Sequence, residues 1–341
     1  MTAAESSPPR AAVQGGAIAL SGRITSRITG GLMDAWMDMD KAREVVLDFS
    51  GADGLEVSGL NALITLHQQA RVEGRQLRVA RLSPALREIF RAARLDGAIM
   101  PEPAETAGGE GTEPEGRPWA APVGTLRVES VPAGAISRNV DGFGVAGPVQ
   151  GFGRLWHKTY RMRLAGIDAG PREVIGALKS GFPRFQPVQN RFYPPPGGIT
   201  PGAVVLINAM TPAGPLYTGV LVLHANDESF TFITPQGHPE AGWVSFDAYE
   251  DDGVTIVRVQ GFARASDPLY ELAFELMGSR RQESIWRYVL LSLGRHFGIR
   301  GYVSMEKSCV GDDYQWERAG NLRYNAQIRS LGYFLMSLAG Y

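Results

Sequence analysis

The chain has 341 residues, 44% hydrophobic and 20% charged, with a formal net charge of −1 at pH 7. A length of roughly 100–200 residues per domain calls for two domains of ordinary globular composition, and the balanced charge excludes the basic stripe of a nucleic-acid binder. The single cysteine, Cys309, excludes an intramolecular disulfide and a multi-cysteine zinc site.

Residues 1–16 read as a disordered lead with neither the basic start nor the apolar run of a signal peptide. No apolar run approaches the roughly 18 residues of a membrane span, so a soluble, cytoplasmic chain without membrane spans is expected. A first domain, 17–100, then alternates strands and helices. A short strand starts at Ala17–Leu20, and Gly30–Ala42 follows as a helix with Leu32, Met33, Trp36 and Met37. Next come the strand Val45–Phe49, the helix Leu60–Val72 and the strand Gln76–Leu82. A last helix starts at Ser83-Pro84 and carries Leu86, Ile89, Phe90 and Ala93 on one face. This alternation predicts an α/β layer.

Between the second strand and the second helix lies Glu56-Val57-Ser58-Gly59. Ser58, directly ahead of the helical pattern, reads as its N-cap, a role worth about 1 kcal/mol. This strand–loop–Ser-Gly–helix passage resembles the STAS domain of anti-sigma-factor antagonists and sulfate-transporter tails. The resemblance runs from the Ser21-Gly22-Arg23 turn to Ile99, with the family's first strand shortened here. It implies a protein-interaction module whose partner, a kinase or regulator, phosphorylates Ser58, with Glu56 and Gly59 completing the switch. Glu56 and Val57 stand where the family has Asp and Ser.

Residues 101–124, rich in Pro, Glu and Gly, read as a solvated acidic linker. From 125 to 298 the pattern becomes short, aromatic and β-branched segments separated by turns such as Asn226–Ser229 and Asp251-Asp252-Gly253. A shorter helix is expected at Pro171–Lys179 and a long one over Pro268–Phe297. The motif Gly237-His238-Pro239, with Gly242, Phe246 and Val257–Arg264, resembles an uncharacterised family of START-like, helix-grip domains. That resemblance implies an α+β domain, a curved antiparallel sheet around a long C-terminal helix, with an apolar cavity between them. Trp243 stands where that family usually has Glu. Residues 299–341 exceed the pattern and form an extension ending in an amphipathic helix with Leu331, Phe334 and Leu335, expected to pack on the second domain.

Several strings look chemical and are not. Gly142–Gly147 satisfies a dinucleotide fingerprint, but Pro148, Gly151 and Gly153 follow where a helix should start. Asp251-Asp252 is turn punctuation and Asp312-Asp313 lies in a connector, neither with histidine at ligand spacing. No metal set, cofactor loop or nucleophile–base pair is read, so no cofactor is expected. His67, His157, His224 and His296 sit on amphipathic elements. The pocket expected from the resemblance takes Trp156, His238, Trp243, Phe246, Phe262 and Arg264, drawn from a larger aromatic set (Phe182, Phe185, Phe192, Tyr193, Phe274). His238 there either faces a cavity mouth or braces its own turn. The function expected is a non-enzymatic regulatory or scaffold protein, an interaction module joined to a domain binding an apolar small molecule. The alternative is a cyclase-like or hydrolytic enzyme with the first domain as a dock.

Overall fold

A computed structural model of the chain describes residues 8–39, 42–99, 118–277 and 280–338. The chain divides into two compact units, Met1–Glu115 and Gly116–Tyr341. The acidic segment expected as a linker lies outside the described residues over 101–117. Its last residues belong to the second unit, where Ala120 donates its N–H to Leu223 O at 2.8 Å and Pro118 O accepts from Ala225.

The first unit is a four-stranded sheet in the order β1-β2-β3-β4, with β1 Arg10–Gln14, β2 Ala17–Ile24, β3 Glu44–Leu55 and β4 Gln76–Ala80. Strands β2, β3 and β4 run parallel, and β1 is antiparallel to β2. The expected disordered lead is therefore corrected over 10–14, and the first strand is present. Gly15 and Gly16, at φ +56° and +80°, make the tight hairpin turn that needs two left-handed residues. Strand β3 also exceeds its expected end at Phe49. The Gly- and Asp-containing stretch Ser50–Leu55, which looks like a loop, stays paired with β2 through register shifts at Ala19/Ser21 and Gly22/Arg23, the signature of bulges. Helices α1 (Thr29–Asp38), α2 (Val57–Val72), α3 (Pro84–Ala92) and the short α4 (Asp96–Ile99) complete the unit. Its core joins Ile18, Leu20, Trp36, Leu47, Phe49, Leu60, Leu63, Ile64 and Phe90, all buried. Ser83 caps α3 as the sequence predicts, its Oγ accepting from Leu86 N at 3.3 Å.

The second unit is built on an antiparallel sheet in the order β13-β6-β12-β11-β10-β9-β8-β7. After the two-residue β5 (Val145–Ala146), which pairs with β10, come β6 Leu155–Leu164, α5 Pro171–Gly181 and β7 Asn190–Tyr193. Hairpin-linked strands follow: β8 Val204–Thr211, β9 Gly214–Ala225, β10 Ser229–Pro235, β11 Glu240–Asp251 and β12 Val254–Ala265. The expected single long helix is two, α6 Pro268–Met277 and α7 Arg280–His296. Period-two alternation sends Tyr160, Val259 and Phe246 to the helix-covered face, where Trp286, Val289, Leu290 and Leu293 of α7 meet them. An antiparallel sheet covered on one face by a C-terminal helix is thus the architecture of this unit.

The extension is part of this unit. Strand β13 (Ser304–Gly311) pairs with β6, and α8 (Ala326–Leu338) packs on β9. Asn325 Nδ2 donates to Asp267 Oδ2 at 2.8 Å, and Ala326 N donates to Gly237 O at 2.9 Å. Ser330 Oγ accepts from Tyr217 N at 2.9 Å. The Gly142–Gly147 string contains β5, and no helix follows it.

Candidate functional sites

Ser58 is not the N-cap of α2. The cap is Glu56, in extended conformation and without a side-chain cap bond, and Ser58 is the second helical residue. Gly59 explains the shift. A Cβ there would stand 2.4 Å from Ile24 O, so the start of α2 lies directly on the end of β2. Ile24 O also accepts from Glu56 N at 3.0 Å. The helix begins two residues before this crossing, and the Ser58 hydroxyl points sideways. It accepts from Ser26 N at 3.1 Å and lies 3.5 Å from Glu56 Oε2. Ser58 thus links the Thr25–Ile28 turn to α2. It is only half-buried, and Arg23 and Arg27 in the neighbouring segment are exposed.

In the second unit the helix-covered face is filled at one end and open at the other. Phe182 sits among Phe192, Phe230, Phe232 and Phe246 with ring centroids 5.1–5.7 Å away. Phe230 stacks on Phe246 at 4.6 Å, and Trp286 meets Phe246 edge-on at 5.4 Å. That end is solid.

The opening lies over Gly261. This glycine is in the middle of β12, between Val244 of β11 and Lys158 of β6. A Cβ on it would meet nothing within 4 Å. Gly261, Val244, Ala263 and Trp156, although inside the sheet, all keep partial exposure. Lys158 and Tyr160 lie on the same face of β6, and both are buried. On β13, Lys307 pairs with Lys158 in register, places its Nζ 4.1 Å from the Trp156 ring centroid and lies 3.9 Å from Glu283 Oε1 of α7. The strand that exceeds the helix-grip pattern therefore walls this cleft. Burial pushes the Lys158 ammonium down, against the pull of Glu240. Burial, reinforced by Glu283 and Glu240, pushes the Tyr160 phenol well up, so it stays a neutral O–H. The Tyr160 hydroxyl and the Trp286 indole N–H are buried without hydrogen-bond partners.

The six residues expected in a pocket divide. Trp156 and Phe246 are on the cleft face, Phe246 within the packed end. Trp243 and Phe262 point to the other face, stacked on each other at 6.1 Å, with His157 edge-on to Phe262 at 5.6 Å. The alternation of β11 puts Trp243 and Phe246 on opposite sides. Arg264 is 1% exposed and lies against Gly151, whose Cβ would fall 2.6 Å from its Cγ. It is no exposed anchor.

His238 braces its turn. Its Nδ1 meets the backbone N and O of Glu240 at 3.1 and 3.0 Å, and burial pushes its pKa down to about 4. The turn is not a cavity mouth, because Tyr324, two residues before α8, closes over it: a Cβ on Gly237 would collide with Tyr324 O. The His238 ring is thus engaged in holding the turn. A separate groove of about 670 Å³ runs along β7, lined by Gln186, Arg191, Tyr193, Met210 and Tyr217 among others, and includes none of the six. Sequence reasoning missed Lys158, Tyr160, Gly261, Trp286 and Lys307. Among the described residues no three His, Cys, Asp or Glu side chains gather as metal ligands, and no helix is long and apolar enough to cross a membrane.

Residues 9–102 match the family model described as "Mlab, STAS domain"; the N-terminal part of the chain is a STAS domain. No curated protein matches the chain. Among solved structures, the protein XoxI from Bacillus cereus is 20% identical over 41% of this chain and 94% of its own, with a TM-score of 0.29. The di-domain ARO/CYC StfQ from the steffimycin biosynthetic pathway is 12% identical over 42% of this chain and 50% of its own, with a TM-score of 0.33. Ginseng major latex-like protein 151 from Panax ginseng is 15% identical over 42% and 99%, with a TM-score of 0.29.

Proposed function

We propose that the chain is a non-enzymatic, cytoplasmic regulatory protein. Its STAS domain docks a protein partner, and its second unit takes a small molecule with an apolar body in the cleft over Gly261. Ligand occupancy or phosphorylation of Ser58 changes the docking.

The observation that carries this reading is the open space over Gly261 in the middle of an otherwise packed sheet face. A strand glycine contributes no side chain and costs stability, which a chain selected only for packing would avoid there. The cleft combines aromatic walls with a few polar groups, the composition of a small-molecule site. Titration of the full chain with N-phenyl-1-naphthylamine should be saturable and quench tryptophan emission. Gly261→Leu should remove the saturable phase. A wild-type chain that shows no saturable phase sinks the ligand half of the proposal.

For the STAS half, Ser58 is half-buried at the start of α2, where a phosphate is favoured by the helix N-terminus. Phosphorylation would put about −1.5 to −2 charges beside Glu56, whose carboxylate is 3.5 Å from the hydroxyl. The two would repel, moving Glu56 and loosening the Ser26 contact, so the change would be read at the surface around α2.

A further inference from the structure

We propose that the exposed end of α8, with the tip of the β8–β9 hairpin beside it, rests on an anionic lipid surface. This contact does not depend on what the cleft over Gly261 holds.

Helix α8 buries Ala326 and Ser330, both in its first half. Beyond them it is apolar on every side. Phe334, Leu335, Met336 and Leu338 are 39–70% exposed, and at about 100° per residue they do not share one face. No charged residue occurs from Ser330 to Tyr341. A helix apolar all round is ordinarily covered. The hairpin tip extends the patch: a Cβ on Gly214 would stand 2.9 Å from Leu331 Cδ2, and Gln327 Nε2 donates to Pro215 O at 2.9 Å. Met210, Pro212 and Ala213 at that tip are exposed. With 13 residues, α8 is short of the roughly 20 that span a bilayer, so it would lie at the lipid surface.

Charge decides the occupant. From Glu317 to Tyr341 the sequence sets Arg318, Arg323 and Arg329 against the one carboxylate of Glu317. The loop beside α8 is balanced, Arg127 and Arg138 against Glu129 and Asp141. Of these, Arg138 reaches the helix, 4.3 Å over the Tyr333 ring, while Asp141 accepts from Val128 N at 3.0 Å. Asp267, which meets Asn325 at the helix start, is fully buried. A second copy on the patch would set these arginines against themselves across a two-fold axis. An anionic bilayer takes apolar side chains and arginines together. Tyr333 and Tyr217, edge-on at 6.1 Å at the base of the patch, suit the headgroup level.

The test is co-sedimentation of the full chain with vesicles of phosphatidylcholine alone and of equal parts phosphatidylcholine and phosphatidylserine. Wild type should bind the anionic vesicles about ten-fold better or more, and raised salt should remove that preference. Leu335→Ser with Leu338→Ser should weaken binding about ten-fold or more. Both leucines are exposed, so the variant's urea midpoint should match wild type. Arg138→Gln should weaken binding about five-fold on anionic vesicles and leave neutral ones unchanged. No binding to either vesicle by wild type overturns the proposal, as does binding indifferent to lipid charge. A double-leucine variant that is folded and binds like wild type also overturns it. A wild-type dimer that the same variant dissociates would give the patch to a second copy instead.

Discussion

Gly261 on β12 stands directly opposite Lys158 on β6 across an antiparallel ladder. One partner has no side chain and the other has a buried amine, so the row leaves a hollow with a polar side. Strand β13 adds Lys307 to the same row.

Two glycines should therefore respond oppositely to alanine. Gly261→Ala adds a methyl to open space and relieves the cost of a strand glycine, so the chain should keep its stability or gain about 0.5–1 kcal/mol. Gly59→Ala forces a Cβ to within 2.4 Å of Ile24 O and should cost about 1–3 kcal/mol as α2 is pushed off β2. Urea unfolding of both variants checks this, and a Gly59→Ala chain as stable as wild type would contradict the close approach.

Ser58→Ala loses the hydroxyl that accepts from Ser26 N. The cost should be about 0.5–1.5 kcal/mol, a net hydrogen bond at a half-exposed site. Ser58→Asp places a carboxylate beside Glu56 and should weaken a partner complex recovered from the native host by pull-down. Equal recovery with wild type, Ser58→Ala and Ser58→Asp would leave Ser58 a structural link only.

The second unit should lose stability in mild acid. Burial pushes His224 and His238 from 6.5 down to about 4, so the unfolded chain binds more protons between those values and stability rises with pH across that window. The contribution is complete above about 6.5 and falls away toward about 4. Asp247, Asp267 and Glu271, pushed up by burial, act the other way: their protonation favours the folded state as pH falls. The difference between wild type and His224→Phe isolates the histidine. The variant's urea midpoint should drop less between pH 7 and pH 5, and identical drops would show that His224 is not held neutral.

Removing β13's charge should loosen the wall of the cleft. Lys307→Met keeps the stem over Trp156 but deletes the contact with Glu283. Partly exposed ion pairs contribute little, about 0–1 kcal/mol, so stability should barely change. Probe affinity should shift, because the cation 4.1 Å from the Trp156 ring centroid is removed from the side of the cleft. An unchanged affinity would place Lys307 outside the site's electrostatics.

The alternation of strands and helices, the Ser83 cap and the hairpin turns were legible because each depends on neighbours in sequence. Strand β1 was missed although Gly15-Gly16 is a hairpin signal, since Ala11, Ala12 and the lone Val13 make too weak a pattern around it. The far half of β3 was missed because Gly51, Asp53 and Gly54 look like a turn, and only pairing with β2 keeps them extended. Ser58 was misplaced because a serine before a glycine and a helical run reads as a cap, while the Ile24 carbonyl that fixes the helix start is far away in sequence. The cleft was not legible. Which residues face Gly261 is set by register between β6, β11, β12 and β13, and no local pattern carries that.

The most direct measurement is native mass spectrometry of the full chain purified from its host, wild type beside Gly261→Leu. Wild type should carry a bound small molecule that is released on denaturation and absent from the variant. The same mass on both proteins would contradict the account, because the molecule would then sit elsewhere. Wild type emerging bare, with no saturable N-phenyl-1-naphthylamine binding on titration, would contradict it as well and reduce the opening over Gly261 to a packing gap.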